Sequence, residues 1–129
     1  MIVCLDTNAY SALARHRREL VDFCNNADRV IVPSVVCGEL FAGFGLGARC
    51  QQNRKEFDAF LELPGVEIAV VTVDVADRYG DLFVRLRKAG TPIPTNDLWV
   101  AATAMEFGAR LVTYDRHFGV VPGLLVVSP

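Results

Sequence analysis

Short apolar runs alternate along the chain with longer amphipathic stretches. Ile2–Leu5 is an apolar run stopped by Asp6, Thr7 and Asn8, the pattern of a buried strand ending at polar residues able to cap a helix. A helical stretch follows from about Ala9 to Asn25, with a break expected at Arg15-His16-Arg17-Arg18. Arg29–Val32 reads as a second strand, and Ser34 as the N-cap of a helix through Glu39 and Ala42. Gly43, Gly45 and Gly47 predict a loop; neither a GK[ST] ending nor a preceding strand makes it a phosphate loop. Helix resumes over Arg49–Leu63, where Phe57, Phe60 and Leu61 recur at spacings of three and four.

After the turn at Pro64-Gly65, the β-branched run Val66–Val73 predicts a third strand. Val75, Tyr79, Leu82, Phe83 and Leu86 form an apolar stripe that predicts a helix over residues 75–88, closed by Gly90. Thr95, Asn96 and Asp97 open a largely apolar helix to Phe107, and Leu111–Asp115 and Leu124–Val127 read as the last two strands. Strands alternating with helices predict an α/β domain spanning residues 1–129, with a mainly parallel sheet of about five strands flanked by helices on both faces. In such folds ligands bind beyond the carboxyl ends of the strands.

Composition narrows the class. A chain of 129 residues, 52% hydrophobic with a formal net charge of −2, suits one packed core and is not that of a disordered segment. No apolar run approaches the roughly 18 residues of a membrane span, and Asp6 interrupts the amino terminus before a signal-peptide core is complete, so a cytoplasmic location is expected. A pI near 5.6 argues against a general polyanion coat and leaves room for a local basic groove. Cys4, Cys24, Cys37 and Cys50 form no metal-binding spacing and read as small core residues.

Four acids stand where a ligand would bind. Asp6 and Asp115 each follow a strand, Asp97 opens one helix and Glu39 lies early in another, among Val, Leu, Ala and Trp. Half-buried carboxylates are costly without cations, and the only lysines, Lys55 and Lys88, lie on polar faces elsewhere. A divalent metal is the simplest counterion. All-oxygen ligation suits Mg²⁺ or Mn²⁺ and favours phosphodiester hydrolysis by activated water. Thr7 and Asn8 are expected to cap a helix while remaining possible helpers of the site, as is Asn96; Trp99 is expected in the core, and His117 as a bystander.

These residues resemble the motifs of the PIN-domain family, in particular the VapC-type toxins of bacterial toxin–antitoxin pairs. The resemblance rests on Leu5-Asp6-Thr7-Asn8, Gly38-Glu39-Leu40, the segment Asn96-Asp97-Leu98-Trp99 continuing to Ala104, and Val112-Thr113-Tyr114-Asp115-Arg116-His117-Phe118. These occur in family order and span nearly the whole chain. The resemblance implies a Mg²⁺- or Mn²⁺-dependent endoribonuclease with Asp6, Glu39, Asp97 and Asp115 as its catalytic and metal-binding acids. It also implies a homodimer held inactive by a cognate antitoxin whose arginine enters the acidic pocket. Arg116, beside Asp115, becomes the first candidate for RNA contact, with Arg15, Arg17 and Arg18 behind it. Exposed apolar area is expected over Phe41–Leu46 and the helix carrying Phe57 and Phe60. Two other readings stay open: an acidic-pocket interaction module without catalysis, and a receiver-like Mg²⁺-binding phosphoacceptor domain, although the first strand lacks that domain's paired acid.

Overall fold

The computed structural model describes Met1–Pro129. Its elements, in chain order, are β1 (Ile2–Leu5), α1 (Thr7–Ala14), α2 (Arg18–Asn25), β2 (Arg29–Pro33), α3 (Ser34–Leu46), α4 (Cys50–Leu61), β3 (Val66–Ala69), α5 (Val73–Lys88), α6 (Thr95–Glu106), β4 (Arg110–Val112), a 3₁₀ turn (Arg116–Val120) and β5 (Val126–Val127). The five strands form one sheet in the order β3-β2-β1-β4-β5, every pair parallel. Parallel pairing requires crossovers, and the helices supply them. Val3, Cys4 and Leu5 of the central strand are fully buried, as a strand covered on both faces should be. They belong to a single core cluster of 29 buried apolar residues.

From β1 the chain winds outward through β2 and β3, then returns to the other side of β1 for β4 and β5. The reversal lies between β1 and β4, so a crevice opens at their carboxyl ends. The order also differs from the 2-1-3-4-5 arrangement of receiver domains, which closes the phosphoacceptor reading.

Several boundaries depart from expectation for identifiable reasons. Helix α3 continues through Gly43 and Gly45 to Leu46 instead of ending in a loop. Phe41 and Phe44 pack on Phe57 of α4 with ring centroids 5.7 and 6.4 Å apart, and that tertiary contact overrides glycine's poor propensity. Phe57 is fully buried and Phe41, Phe44 and Phe60 are half-buried, so of this segment's large side chains only Leu46 is widely exposed. Strand β3 stops at Ala69 because its partner β2 ends at Pro33, the last paired residue, where α3 begins. Ser34 is the first residue of α3 and makes no capping bond; Pro33 precedes it.

The break between α1 and α2 has a defined geometry. His16 adopts φ 58°, its N–H reaches the Leu13 carbonyl at 2.9 Å and the Arg17 N–H reaches that of Ala12 at 3.1 Å. This is a Schellman ending with histidine in the position usually held by glycine. Cys4 and Cys37 are buried as expected, whereas Cys24 is half-buried and Cys50 is exposed at the start of α4. Trp99 packs against the core, its ring stacked on Tyr79 at 3.9 Å. No helix is long and apolar enough to cross a membrane.

Candidate metal centre

The register of the sheet positions the first two groups. Leu5 pairs with Val112, so the next residues, Asp6 and Thr113, leave adjacent strands side by side. Asp6 is 8% exposed. One of its carboxylate oxygens accepts the Ala9 N–H at 2.8 Å and caps α1, and the other accepts the Thr113 hydroxyl proton. The Thr113 oxygen in turn accepts the Asp115 N–H at 2.9 Å. Asp115 caps the 3₁₀ turn by accepting the His117 N–H at 3.1 Å.

The turn aims the His117 ring back at the acids. Its Nδ1 lies 2.8 Å from Oδ1 of Asp115 and its Nε2 lies 2.5 Å from Oδ2 of Asp97, in the first turn of α6. One ligand atom from each of Asp97, Asp115 and His117 lies within 4.8 Å of the others. Glu39, on α3, accepts the Thr7 hydroxyl proton at 2.8 Å, and Thr7 adjoins Asp6 in the chain. Hydrogen bonds and the Asp6–Thr7 link thus join all four acids in one connected set.

Electrostatics favour a cation. Burial raises the Asp6 carboxyl above the usual range and the charges of Asp97 and Asp115 push it further; the Thr113 and Ala9 hydrogen bonds oppose the shift without cancelling it. Every Lys or Arg ion pair is made with an acid outside this set, leaving His117 as its only basic partner. Clustered carboxylates with hydroxyl support are the donor set of a hard, oxygen-preferring divalent cation, so the residues fit Mg²⁺ or Mn²⁺. The nearby Cys4 thiol is fully buried and its pKa is pushed upward, chiefly by burial, which makes it inert as a ligand or nucleophile.

Other candidates fall differently. Thr7 serves Glu39, because Asp6 is itself the cap of α1. Asn96 is exposed, and Asn8 lines an outer cleft with Arg15, Arg17 and Tyr114. Arg116 is exposed at the start of the 3₁₀ turn, while Arg18 points outward and pairs with Asp22 at 3.9 Å. Two members of the network escape sequence reading. Thr113 carries a signal in hindsight, a hydroxyl at a strand end two residues before an acid; His117, expected as a bystander, is instead the bridge between Asp97 and Asp115.

Residues 3–124 match the PIN domain family. The chain belongs to that family. This PIN domain is 29% identical to a protein named ribonuclease VapC2 from Rickettsia felis, over 98% of this chain and 96% of the relative. Ribonuclease VapC5 of Mycobacterium tuberculosis is 27% identical over 96% of this chain and 90% of its own. Among solved structures, VapBC2 from Rickettsia felis bound to a DNA fragment from its promoter superposes with a TM-score of 0.87 at 28% identity, covering 98% of both chains. VapBC-1 from nontypeable Haemophilus influenzae gives 0.87 at 26% identity, covering 99% of this chain and 98% of that one. In this PIN domain, as the sheet order requires, the acids gather at the β1/β4 switch point.

Proposed function

We propose that this PIN domain is a divalent-metal-dependent endoribonuclease and the toxin of a toxin–antitoxin pair. The observation that carries the reading is the connected set of Asp6, Glu39, Asp97 and Asp115 at the switch point, with no lysine or arginine among its partners. Relatives named ribonuclease VapC and neighbours solved as VapBC toxin–antitoxin complexes support it.

Asp6, Asp97 and Asp115 would hold Mg²⁺ or Mn²⁺, with Glu39 completing the acidic wall. When bound, such an ion neutralises charge on the phosphoryl oxygens and acidifies the attacking water. The chain's own groups prepare that chemistry. Thr113 fixes the orientation of the Asp6 carboxylate and the backbone of Asp115 together, Thr7 orients Glu39, and His117 sets the spacing of Asp97 and Asp115. Carboxylates held by neighbours reorganise little when a phosphodiester arrives, which is the main protein contribution to such a site.

The partner follows from the same charge. An antitoxin arginine entering the pocket would meet carboxylates that are paired with no guanidinium of the chain and occupy the cation's place. The decisive experiment incubates the purified protein with RNA in Mn²⁺, in EDTA, and as Asp97→Asn. Cleavage only by the wild type with metal is the expected result. Cleavage that survives chelation, or an active Asp97→Asn enzyme, overturns the metal mechanism. Absence of cleavage under all conditions leaves the acids as an interaction pocket.

A further inference from the structure

Beside the acids the surface of α1 is bordered by two clefts. The first, about 430 Å³, is lined by Asn8, Ser11, Arg15, Arg17 and Tyr114. The second, about 490 Å³, is lined by Ser11, Arg15, Phe44, Arg49 and Asn53, with Glu56 as its one acid. Ser11 and Arg15 line both, so the two clefts adjoin and together make a groove along α1.

One end of that groove abuts the candidate metal centre. Thr113 and Asp115 send their side chains into the acidic network, while Tyr114, in the bend between them, lines the groove. Tyr114 is 37% exposed. The Arg17 guanidinium lies 5.9 Å from its ring centroid and is held by Glu19 at 3.1 Å, so the ring is braced where it stands.

The cations of the groove differ in how they are committed. Arg17 is paired with Glu19, whereas Arg15 and Arg49 have no carboxylate partner. Arg87, Arg110, Arg116 and the two lysines are also unpaired, but none of them lines either cleft. An unpaired guanidinium has its full fork of donors available for a phosphate. An aromatic next to the cutting site, followed by spaced arginines, is the arrangement that takes a single strand, whose bases can splay onto a ring while its phosphates follow the charges. An acidic polypeptide would satisfy the arginines and offer no base to Tyr114.

We propose that this groove binds single-stranded RNA, Tyr114 stacking a base beside the scissile position and Arg15 and Arg49 holding successive phosphates away from it. The proposal rests on the ribonuclease reading and names how its substrate lies. Its test is binding in EDTA, where no cleavage intervenes, read by fluorescence anisotropy of a labelled single-stranded RNA of about 12 nucleotides, within the usual span of such sites.

The wild type should bind, with affinity falling as salt rises. The Arg15→Ser/Arg49→Ser double variant should bind at least several-fold more weakly, with a log–log salt slope smaller by about 1.4, or ~0.7 for each lost phosphate contact on a single strand. Tyr114→Ala should weaken binding about tenfold while Tyr114→Phe retains it, because the ring and not the hydroxyl stacks. Arg110→Ser, exposed at the amino end of β4, serves as the unaffected control. Wild-type affinity in the double variant, or a wild type that binds no RNA, overturns the groove. So does equal displacement of the RNA by a poly-glutamate peptide of the same length, acting through Arg15 and Arg49. A protein that binds through these residues and cuts no RNA in Mn²⁺ keeps the groove and loses the nuclease, so the two readings fail separately.

Discussion

At the residue scale, Asp6 carries two incompatible demands. Its carboxylate caps α1 and accepts from Thr113, yet it is buried and faces the charges of Asp97 and Asp115, so its carboxyl is raised above the usual range. For an acid raised in the folded state, the folded chain binds the proton more readily than the unfolded one. Its stabilising contribution is complete when protonated and is lost as pH rises from the ordinary carboxylate range through the raised value. Asp6→Asn should therefore raise the Tm of the metal-free protein at neutral pH by about 2–5 °C and abolish cleavage, with the difference from wild type closing at acid pH. Calorimetry in EDTA across pH checks this; a less stable Asn variant at neutral pH would show that the cap outweighs the repulsion. Thr113 gives a second prediction. Thr113→Val keeps shape but removes the bond to Asp6 and the acceptor for the Asp115 N–H, so activity should fall roughly 10–100-fold while Thr113→Ser stays near wild type. Cleavage rates at saturating metal measure it, and equal rates for Val and Ser would remove Thr113 from the site.

At the scale of elements, two backbone positions carry residues suited to each other's conformation. Gly43 lies in regular α3 helix, and a Cβ there would meet nothing within 4 Å. His16 holds the left-handed position at the end of α1, where a side chain is strained. Gly43→Ala should stabilise by about 0.5–1 kcal/mol through propensity and unfolded-state entropy. His16→Gly should relieve about 1 kcal/mol of left-handed strain. Urea unfolding of each variant is the check, and a destabilised Gly43→Ala would mean that α3 is not helical there. The same positions show what the sequence could convey. The Arg15–Arg18 run marked the helix break, and the apolar stripe of α5 was legible because its period is local. The glycines misled because α3 is held by Phe41 and Phe44 on Phe57, contacts with another helix that no local window contains. Strand ends were read too long at Val70–Val73 and at Thr113–Asp115, since a strand stops where its partner stops. The four acids were visible through their placement after strands and at helix starts. His117 was not, because its role depends on a 3₁₀ turn folding it back toward α6.

At the scale of the whole molecule, the remaining question is what covers the apolar surface. Leu46 is 92% exposed but isolated at the end of α3. The larger feature begins within β3, an edge strand, at exposed Ile68 and continues past its end through exposed Val70, Val71 and Val73. A free edge followed by adjacent valines is a surface that monomers rarely leave open, and a second copy of the chain is the partner that would always be at hand. The chain alone should therefore run in solution at twice the 14.2 kDa of one copy. Val70 and Val73, 58% and 85% exposed, contribute little to the fold of one chain, so Val70→Lys/Val73→Lys should change its intrinsic stability by no more than about 0.5 kcal/mol. In a dimer the same pair would bury two charges against two more, and association should collapse. Sedimentation velocity of wild type and variant, each with a circular dichroism spectrum to establish folding, decides it. A folded variant that remains dimeric would place the interface elsewhere, and a monomeric wild type would leave this edge for the antitoxin.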